Sequence, residues 1–362
     1  MSVLLPITAT FMIAVVLSAV FLCWLPRLTR PDLYFALTVP PTFRDGDDGR
    51  AILGRFRVQV LLYSLAACVL VIAGGWRSSM LLLASGIAVQ VAGFFEAYLG
   101  ARSRVRPHTQ EPTPLREAPL APRPASLPGG RLVRAGPVVL LALTALYLNR
   151  RWADIPARFP NHWGLDGQPN GWATRSLGGV YGPLAQAILI CLMLLLLGYG
   201  LTRWSRPIRL RGAPGHAEEH FRRVVLGVLL ATQYLLALVF IWAALLPLSP
   251  GPPSLLVGAG LPLAFTVVVF LVLIRQGQGG ARRVEASALA GKDPRPVGDR
   301  TLDRYWKVGM FYVNPDDPAL FVEKRFGIGY TVNFGRPATW VILGAVLLVA
   351  LLGGLVAMLA HK

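Results

Sequence analysis

The run His216-Ala217-Glu218-Glu219-His220 is the first place to look for hydrolytic chemistry. It fits H-x-x-E-H, in which two histidines one helical turn apart hold zinc and a glutamate serves as base. Such a zinc needs a third protein ligand, and the next carboxylate, Glu285, lies beyond another apolar run and more loop. Glu218 and Glu219 also suit the positive end of a helix that begins after Gly215. Cys23, Cys68 and Cys191 all sit inside apolar runs and read as small hydrophobes rather than as a nucleophile, a bridge or a metal site. His162 is the better candidate for contact chemistry. It stands beside Trp163, with Asp166 and Asn170 following, and an imidazole there can change charge near neutral pH or meet a ligand. Neither a Ser-His-Asp nor a Cys-His set accompanies it. The expectation is a protein with no catalytic residue, no metal and no cofactor.

The elements that must position these residues follow from composition. The chain has 362 residues, 54% of them hydrophobic and 15% charged, with mean hydropathy +0.53. Soluble domains carry about 25% charged residues, which argues against an enzyme with one aqueous core. Eight apolar runs, near 4–25, 58–75, 79–99, 133–148, 180–201, 224–246, 254–274 and 338–360, approach the ~20 residues that cross a bilayer as a helix. The expected fold class is therefore an all-α polytopic membrane protein of about eight transmembrane helices, with a small cytoplasmic α/β module before the last. Glu96 is the one acid within these runs, and it is expected to snorkel beside Arg102. Gln90, Gln186 and Gln233 read as hydrogen-bonding glue between helices. So few ionisable groups argue against a proton-driven carrier.

The net charge of +18 could suggest nucleic acid, but its placement suggests orientation instead. With the N-terminus outside, 30 of the 36 Lys and Arg residues fall in the four inner loops 26–57, 100–134, 202–223 and 275–337. If the fourth run did not cross, this asymmetry would vanish. Both termini are thus expected outside. The basic loops would face anionic headgroups, and nucleic acid is not an expected partner. The first run lacks a basic leader and an A-x-A cleavage site, so it reads as a retained span.

Loop composition subdivides the chain. Residues 50–57 look like a short basic amphipathic helix lying on the lipid surface before the second span. Residues 107–130 hold seven prolines and read as an extended linker. Between residues 149 and 179, Gly164, Gly167 and Gly171 mark turns, while Trp163 and Trp172 suit the membrane interface. In the last inner loop, MFYV and GYTVNF look like two short strands, and Asp317-Pro318 looks like a cap that starts one helical turn.

Two of these segments carry a family resemblance. Ile155, Pro156, His162, Trp163, Gly167, Pro169, Asn170 and Gly171 match the external I-P-x-H-W-x-x-x-G-x-x-D/N-G signature, with extra residues from Ala157 to Asn161. This resembles the SdpI-type membrane family, named for a bacterial immunity protein against a secreted killing factor. Phe35 to Pro40 is similar to a degraded form of the F-G-V-x-V-P stretch that often precedes that unit. Trp306, Gly309, Phe311, Tyr312, Asn314, Pro315, Asp317, Pro318, Gly329, Asn333 and Phe334 resemble a second, uncharacterised bacterial domain, W-x-x-G-x-F-Y-x-N-P-x-D-P with a trailing G-x-x-x-N-F. The resemblance implies a bacterial inner-membrane protein and supplies no activity.

The expected organisation is a three-span leader (1–106), the proline-rich linker (107–130), an SdpI-type unit (131–204), two further spans with a polar segment (205–299), the aromatic module (300–337) and the last helix (338–362). The expected function is non-enzymatic sensing of, or protection against, an extracellular peptide or envelope stress. A transporter, permease or lipid-handling protein is the alternative. Contacts outside would come from His162, Trp163, Asp166, Asn170 and Trp172. Inside, Trp306, Phe311, Tyr312, Asn314, Asp317, Lys324 and Arg325 would dock a transcriptional regulator.

Overall fold

The computed structural model describes residues 4–111, 127–163, 168–205, 216–249, 254, 256–280 and 301–360. Among these, eight helices are long and apolar enough to cross a membrane. They are α1 (Leu4–Leu28), α2 (Asp47–Trp76), α3 (Met80–Val105), α4 (Gly130–Arg150), α5 (Leu177–Trp204), α6 (His216–Leu245), α7 (Leu261–Gln276) and α8 (Pro337–Ala360). One π-helical turn, Leu256–Gly260, leads into α7, and the seventh span takes in Val257–Gly280. Four two-stranded antiparallel hairpins join them: β1 (Leu33–Tyr34) with β2 (Leu37–Thr38), β3 (Arg158–Trp163) with β4 (Pro169–Thr174), β5 (Trp306–Lys307) with β6 (Phe311–Tyr312), and β7 (Phe321–Glu323) with β8 (Tyr330–Val332). Residues 112–126 of the linker and residues 281–300 of the segment expected to be polar lie outside the described residues.

Helices α1 to α3 form one bundle. Without a hydrophobic drive between helices in lipid, close packing and polar contacts must hold them. Gln90 supplies both: its amide donates to the Val15 carbonyl at 2.9 Å and to Ser64 Oγ at 3.1 Å, and it accepts from Ser18 Oγ at 3.0 Å. One side chain on α3 thus ties α1 and α2, as its position in an apolar run suggested. Glu96 behaves differently from expectation. Its carboxylate accepts from Tyr63 Oη of α2. The Arg102 guanidinium instead donates to the Phe35 carbonyl at 2.9 Å.

The segment 29–46 corrects the surface-lying reading. Residues 50–57 belong to α2, which runs unbroken from Asp47. The preceding hairpin turns inward: Leu33, Tyr34, Phe35, Ala36 and Leu37 are all buried. Phe35 and Ala36 have φ of 45° and 63°, the left-handed geometry a two-residue hairpin turn needs. Without glycine that geometry is strained. Burial against Phe56, Tyr98 and Phe326 offsets the cost, with ring centroids 5.1 to 6.3 Å from Phe35. Tyr34 donates to the Gly49 carbonyl at 2.8 Å, and burial pushes its phenol up to about 12.

Helices α4, α5, α6 and α8 form the second bundle, with Leu141, Leu148, Val180, Leu184, Ala187, Cys191 and Ala237 in its core. Tyr234 of α6 donates to the Val133 carbonyl of α4 at 2.7 Å. Gln186 of α5 donates to the Val349 carbonyl of α8 at 3.1 Å. Helix α7 touches α1 and α6, with Phe21 and Phe270 edge to face at 4.9 Å.

Residues 301–336 gather these pieces at one end. The turn between β5 and β6 nests on the buried leader turn. Tyr98 donates to the Val308 carbonyl at 2.9 Å, and Gly309 sits at φ 77° where a Cβ would lie 2.6 Å from both Ala36 Cβ and Tyr98 Oη. Strand β7 bridges Ser205 just after α5, and Leu320 N–H donates to the Trp204 carbonyl at 3.0 Å. Gln278, beyond α7, clasps the β7–β8 turn through Lys324 O, Gly329 O and Gly329 N. The expected strands at MFYV and GYTVNF are present, each paired with a strand the sequence did not announce. The helical turn expected at Asp317 is absent: residues 314–317 form a tight turn, and Asp317 accepts from Tyr312 Oη and Ala319 N–H.

Arg325 is the buried charge of this assembly. Its side chain is 0% exposed and pairs with Asp303, which is itself 28% exposed and holds Thr38 Oγ1 at 2.9 Å. Removing one partner of a buried pair costs about 3–5 kcal/mol, toward the lower figure here because Asp303 keeps some solvent. Arg325→Ala is therefore expected to lower stability by about 3 kcal/mol. A lower midpoint in thermal unfolding of the detergent-solubilised chain checks it; an unmoved midpoint would refute the structural role.

Candidate functional site

The segment between α4 and α5 is a built platform rather than a loose series of turns. Trp152–Asp154 forms a short 3-10 turn, after which Ile155 is buried. Strands β3 and β4 then pair from Arg158↔Thr174 to Trp163↔Pro169. On one face Phe159 and Ala173 are buried against the helices. The other carries Trp172, 39% exposed, with the Arg158 guanidinium 5.2 Å from its ring centroid. Such stacking contributes roughly 0.5–1 kcal/mol at an exposed site.

Arg175 locks the platform to the end of α4. Its guanidinium donates to the carbonyls of Trp152, Ala153 and Ile155, at 3.3, 3.3 and 2.9 Å. Ser176 then caps α5, accepting from Gly179 N–H at 3.1 Å. Nothing in the sequence marked Arg175, because carbonyls are identical at every residue and the turn that gathers three of them is a tertiary product.

The register slips on both sides of His162. Bulges re-aim side chains and recur beside functional sites. Here the irregularity leaves His162 exposed, its Nδ1 in hydrogen-bond contact with Asn170 Oδ1 across the hairpin. Gly171 lies opposite, where a Cβ would come within 2.7 Å of His162 Cβ, so this approach needs glycine. The structure thus brings His162, Asn170 and Trp172 together on one hairpin, with Trp163 half-buried at its end. Asp166 lies outside the described residues.

Below the hairpin is a cavity of about 250 Å³ that sequence reading missed. Phe159 to Asn161 of β3 form one wall, the first third of α5 from Gly178 to Gln186 another, and the end of α6 with Gly353 of α8 the rest. Gln186, a polar residue within an apolar run, is the signal the sequence offers for it. Its Oε1 is buried and has no hydrogen-bond partner among the described residues.

At the opposite end the expected docking set divides. Trp306 and Tyr312 are buried and pack ring to ring at 5.0 Å, and Arg325 is buried with its guanidinium 5.3 Å from the Trp306 ring centroid. Asp317 is buried beneath Tyr312, and Asn314 is half-buried, exchanging hydrogen bonds with Asn333. These residues pack in the interior of the module. Phe311, 50% exposed, and Lys324 remain at the surface; desolvation by surrounding protein still draws the Lys324 ammonium below the ordinary lysine range. Phe334 and Trp340 extend the aromatic surface from Phe311, with centroids 5.5 and 5.9 Å apart along the row. Of the zinc pattern, the His216, Glu218 and Glu219 side chains lie outside the described residues, and the described ones contain no group of three metal-binding side chains.

Two families match short stretches of the chain. Residues 139–186 are similar to the family described as "Domain of unknown function (DUF1648)", and residues 315–340 to the "Family of unknown function (DUF5808)". The first spans the end of α4, the hairpin and the cavity wall on α5; the second spans the Asn314–Asp317 turn to the start of α8. No curated protein and no solved structure matches. Neither family description carries an immunity function.

Loss of the three-carbonyl clamp should loosen the platform without unfolding the helices. In Arg175→Ala the amides of Asp154 and Ile155, both in the hydrogen-bonded turn region, are expected to exchange with deuterium at least tenfold faster than in the wild type. Equal exchange would show that strand pairing alone holds the hairpin.

Proposed function

We propose that this chain is a non-enzymatic multi-pass protein of a bacterial inner membrane, with both termini outside, that meets an extracellular peptide or envelope-stress signal through the β3–β4 hairpin. The observation that carries this reading is the hairpin itself: an exposed histidine, asparagine and tryptophan held by strand pairing and the Arg175 clamp over a bundle core. Contact residues on a rigid support are the usual construction of a recognition loop. The clustering of Lys and Arg in alternate loops supports the orientation. A cytoplasmic regulator would meet the exposed Phe311 and Trp340 with Lys324 rather than the module's interior. A permease has less support, because Glu96 and Gln90 are both engaged within the α1–α3 bundle.

Two measurements test the reading. In a cysteine-free background on intact cells, a membrane-impermeant maleimide should label Trp172→Cys and spare Asp316→Cys; the reverse pattern would overturn the orientation. Expression in a sensitive bacterium should raise the inhibitory concentration of at least one secreted toxic peptide fourfold or more. His162→Ala, Trp163→Ala and Trp172→Ala should each abolish that protection at unchanged membrane levels. Full protection in all three variants would count against the hairpin as the contact.

A further inference from the structure

Two arginines stand together at one end of the leader bundle with no acid paired to either. Arg57 of α2 donates from Nε to the Cys23 carbonyl of α1 at 3.2 Å. Arg27 lies one turn beyond Cys23 on α1, so the guanidinium fixed at that carbonyl comes beside the Arg27 side chain, and Arg27 is the strongest charge acting on it. Neither arginine has an ion-pair partner among the described residues. Asp47 and Asp48 precede Arg57 on α2 by ten and nine residues. That is about 14 Å along the axis, beyond the ~8 Å over which exposed charges act at physiological salt. Two neighbouring like charges repel, and an anion between them turns the repulsion into attraction.

A long arginine at a helix end ordinarily snorkels into water. Arg57 is held back from this, because the Cys23 carbonyl engages its Nε. Its two terminal amino groups have no hydrogen-bond partner among the described residues. A guanidinium fixed in this way presents a preorganised fork, the geometry that takes two oxygens of a phosphate. The neighbouring surface selects the source of that phosphate. On α1, Val16, Val20 and Trp24 precede Arg27 by eleven, seven and three residues, and all are exposed. On α2, Leu61 and Leu65 follow Arg57 by four and eight residues and are exposed too. At these spacings each arginine stands at the foot of an apolar stripe on its own helix. The helices are antiparallel, with Arg57 against Cys23 at one end and Gly75 against Thr8 at the other, so both stripes rise from the arginines into the span. A free phosphate ion gains nothing from such a surface, whereas a phospholipid lays its acyl chains along it and its headgroup on the basic pair. Trp24 stands at the level such a headgroup would occupy, as interfacial indoles do.

We infer that Arg27 and Arg57 form a site for the phosphate of one anionic phospholipid, whose acyl chains lie along the exposed apolar stripes of α1 and α2. General attraction of basic loops to a charged surface needs no defined place; this site holds one lipid in a fixed position. The inference depends neither on the hairpin reading nor on which way the chain faces.

The test uses the purified full chain in a non-ionic detergent, with bound lipid counted by native mass spectrometry. The probes are phosphatidylglycerol, phosphatidylcholine with the same chains, and inorganic phosphate. One phosphatidylglycerol should bind at least tenfold more tightly than phosphatidylcholine, which has the phosphate but no net charge. Inorganic phosphate in hundredfold excess should leave it bound. Arg27→Gln and Arg57→Gln should each weaken phosphatidylglycerol tenfold or more. Arg27 is exposed and makes no hydrogen bond from its side chain among the described residues, so its variant should fold even if loss of the Cys23 contact disturbs the other. Arg57→Lys keeps the charge without the fork and should weaken binding at least threefold. Arg50→Gln and Arg55→Gln remove the same charge from exposed positions on α2 and should each change the affinity less than twofold. Equal losses in all four glutamine variants would make the attraction a property of net charge and overturn the site, as would equal affinity for the two lipids. Displacement by inorganic phosphate would give the arginines to a free anion and overturn the lipid.

Discussion

The architecture depends on the burial of one guanidinium. Taking a charge out of water costs several kcal/mol, and that cost is met only when geometry supplies a counter-charge and satisfies the remaining N–H groups. Around Arg325 these partners come from separate parts of the chain: the Asp303 carboxylate, the carbonyl and hydroxyl of Thr301, the distant Ala36 carbonyl, and the face of Trp306. The arginine is satisfied only when the module is folded and seated on the leader turn. A second ion pair ties the leader to the module, with Arg30 bonded to Glu323 of β7 at 3.2 Å. Charged residues in a small extramembrane module thereby specify which helices stand beside which.

This seating explains how a chain of apolar helices acquires a defined arrangement. Helices in lipid gain little from hiding apolar surface, so their pairing rests on close contact and polar ties. Gln90 and Gln186 each provide one tie within a bundle. Between the bundles the described membrane contact is slight, through α7. The module compensates by holding the α1–α3 bundle through Ala36, Tyr98 and Arg30, the other through Trp204 and Ser205, and α7 through Gln278. Helix α5 carries the hairpin and cavity at its start and pairs with the module at its end. That is physical contiguity between two exposed ends; coupling would further require an element with two arrangements.

The proline-rich stretch made the leader look separate, and in chain order it is. In space, contacts over the buried turn at residues 33–38 join it to the rest, because hydrogen-bond partners are chosen by proximity and not by linker composition. The same distinction explains the aromatic module. Its Trp-x-x-Gly-x-Phe-Tyr spacing marked Trp306, Phe311 and Tyr312 as a set, yet a two-residue strand turns neighbours to opposite sides, so Tyr312 is buried and Phe311 is exposed.

By itself the sequence determined the eight spans, the loops that connect them and the asymmetric placement of Lys and Arg, because these depend on local composition against a bilayer of known thickness. It also marked Gln90, since a lone amide in an apolar run must find a partner. Tertiary structure alone decided that residues 33–39 turn inward, that Arg325 is interior, that Arg175 gathers three carbonyls, and that Gln186 lines a cavity. Each of those outcomes requires groups far apart in the chain to meet. Periodicity and motif spacing describe near neighbours along the chain and carry no term for such encounters.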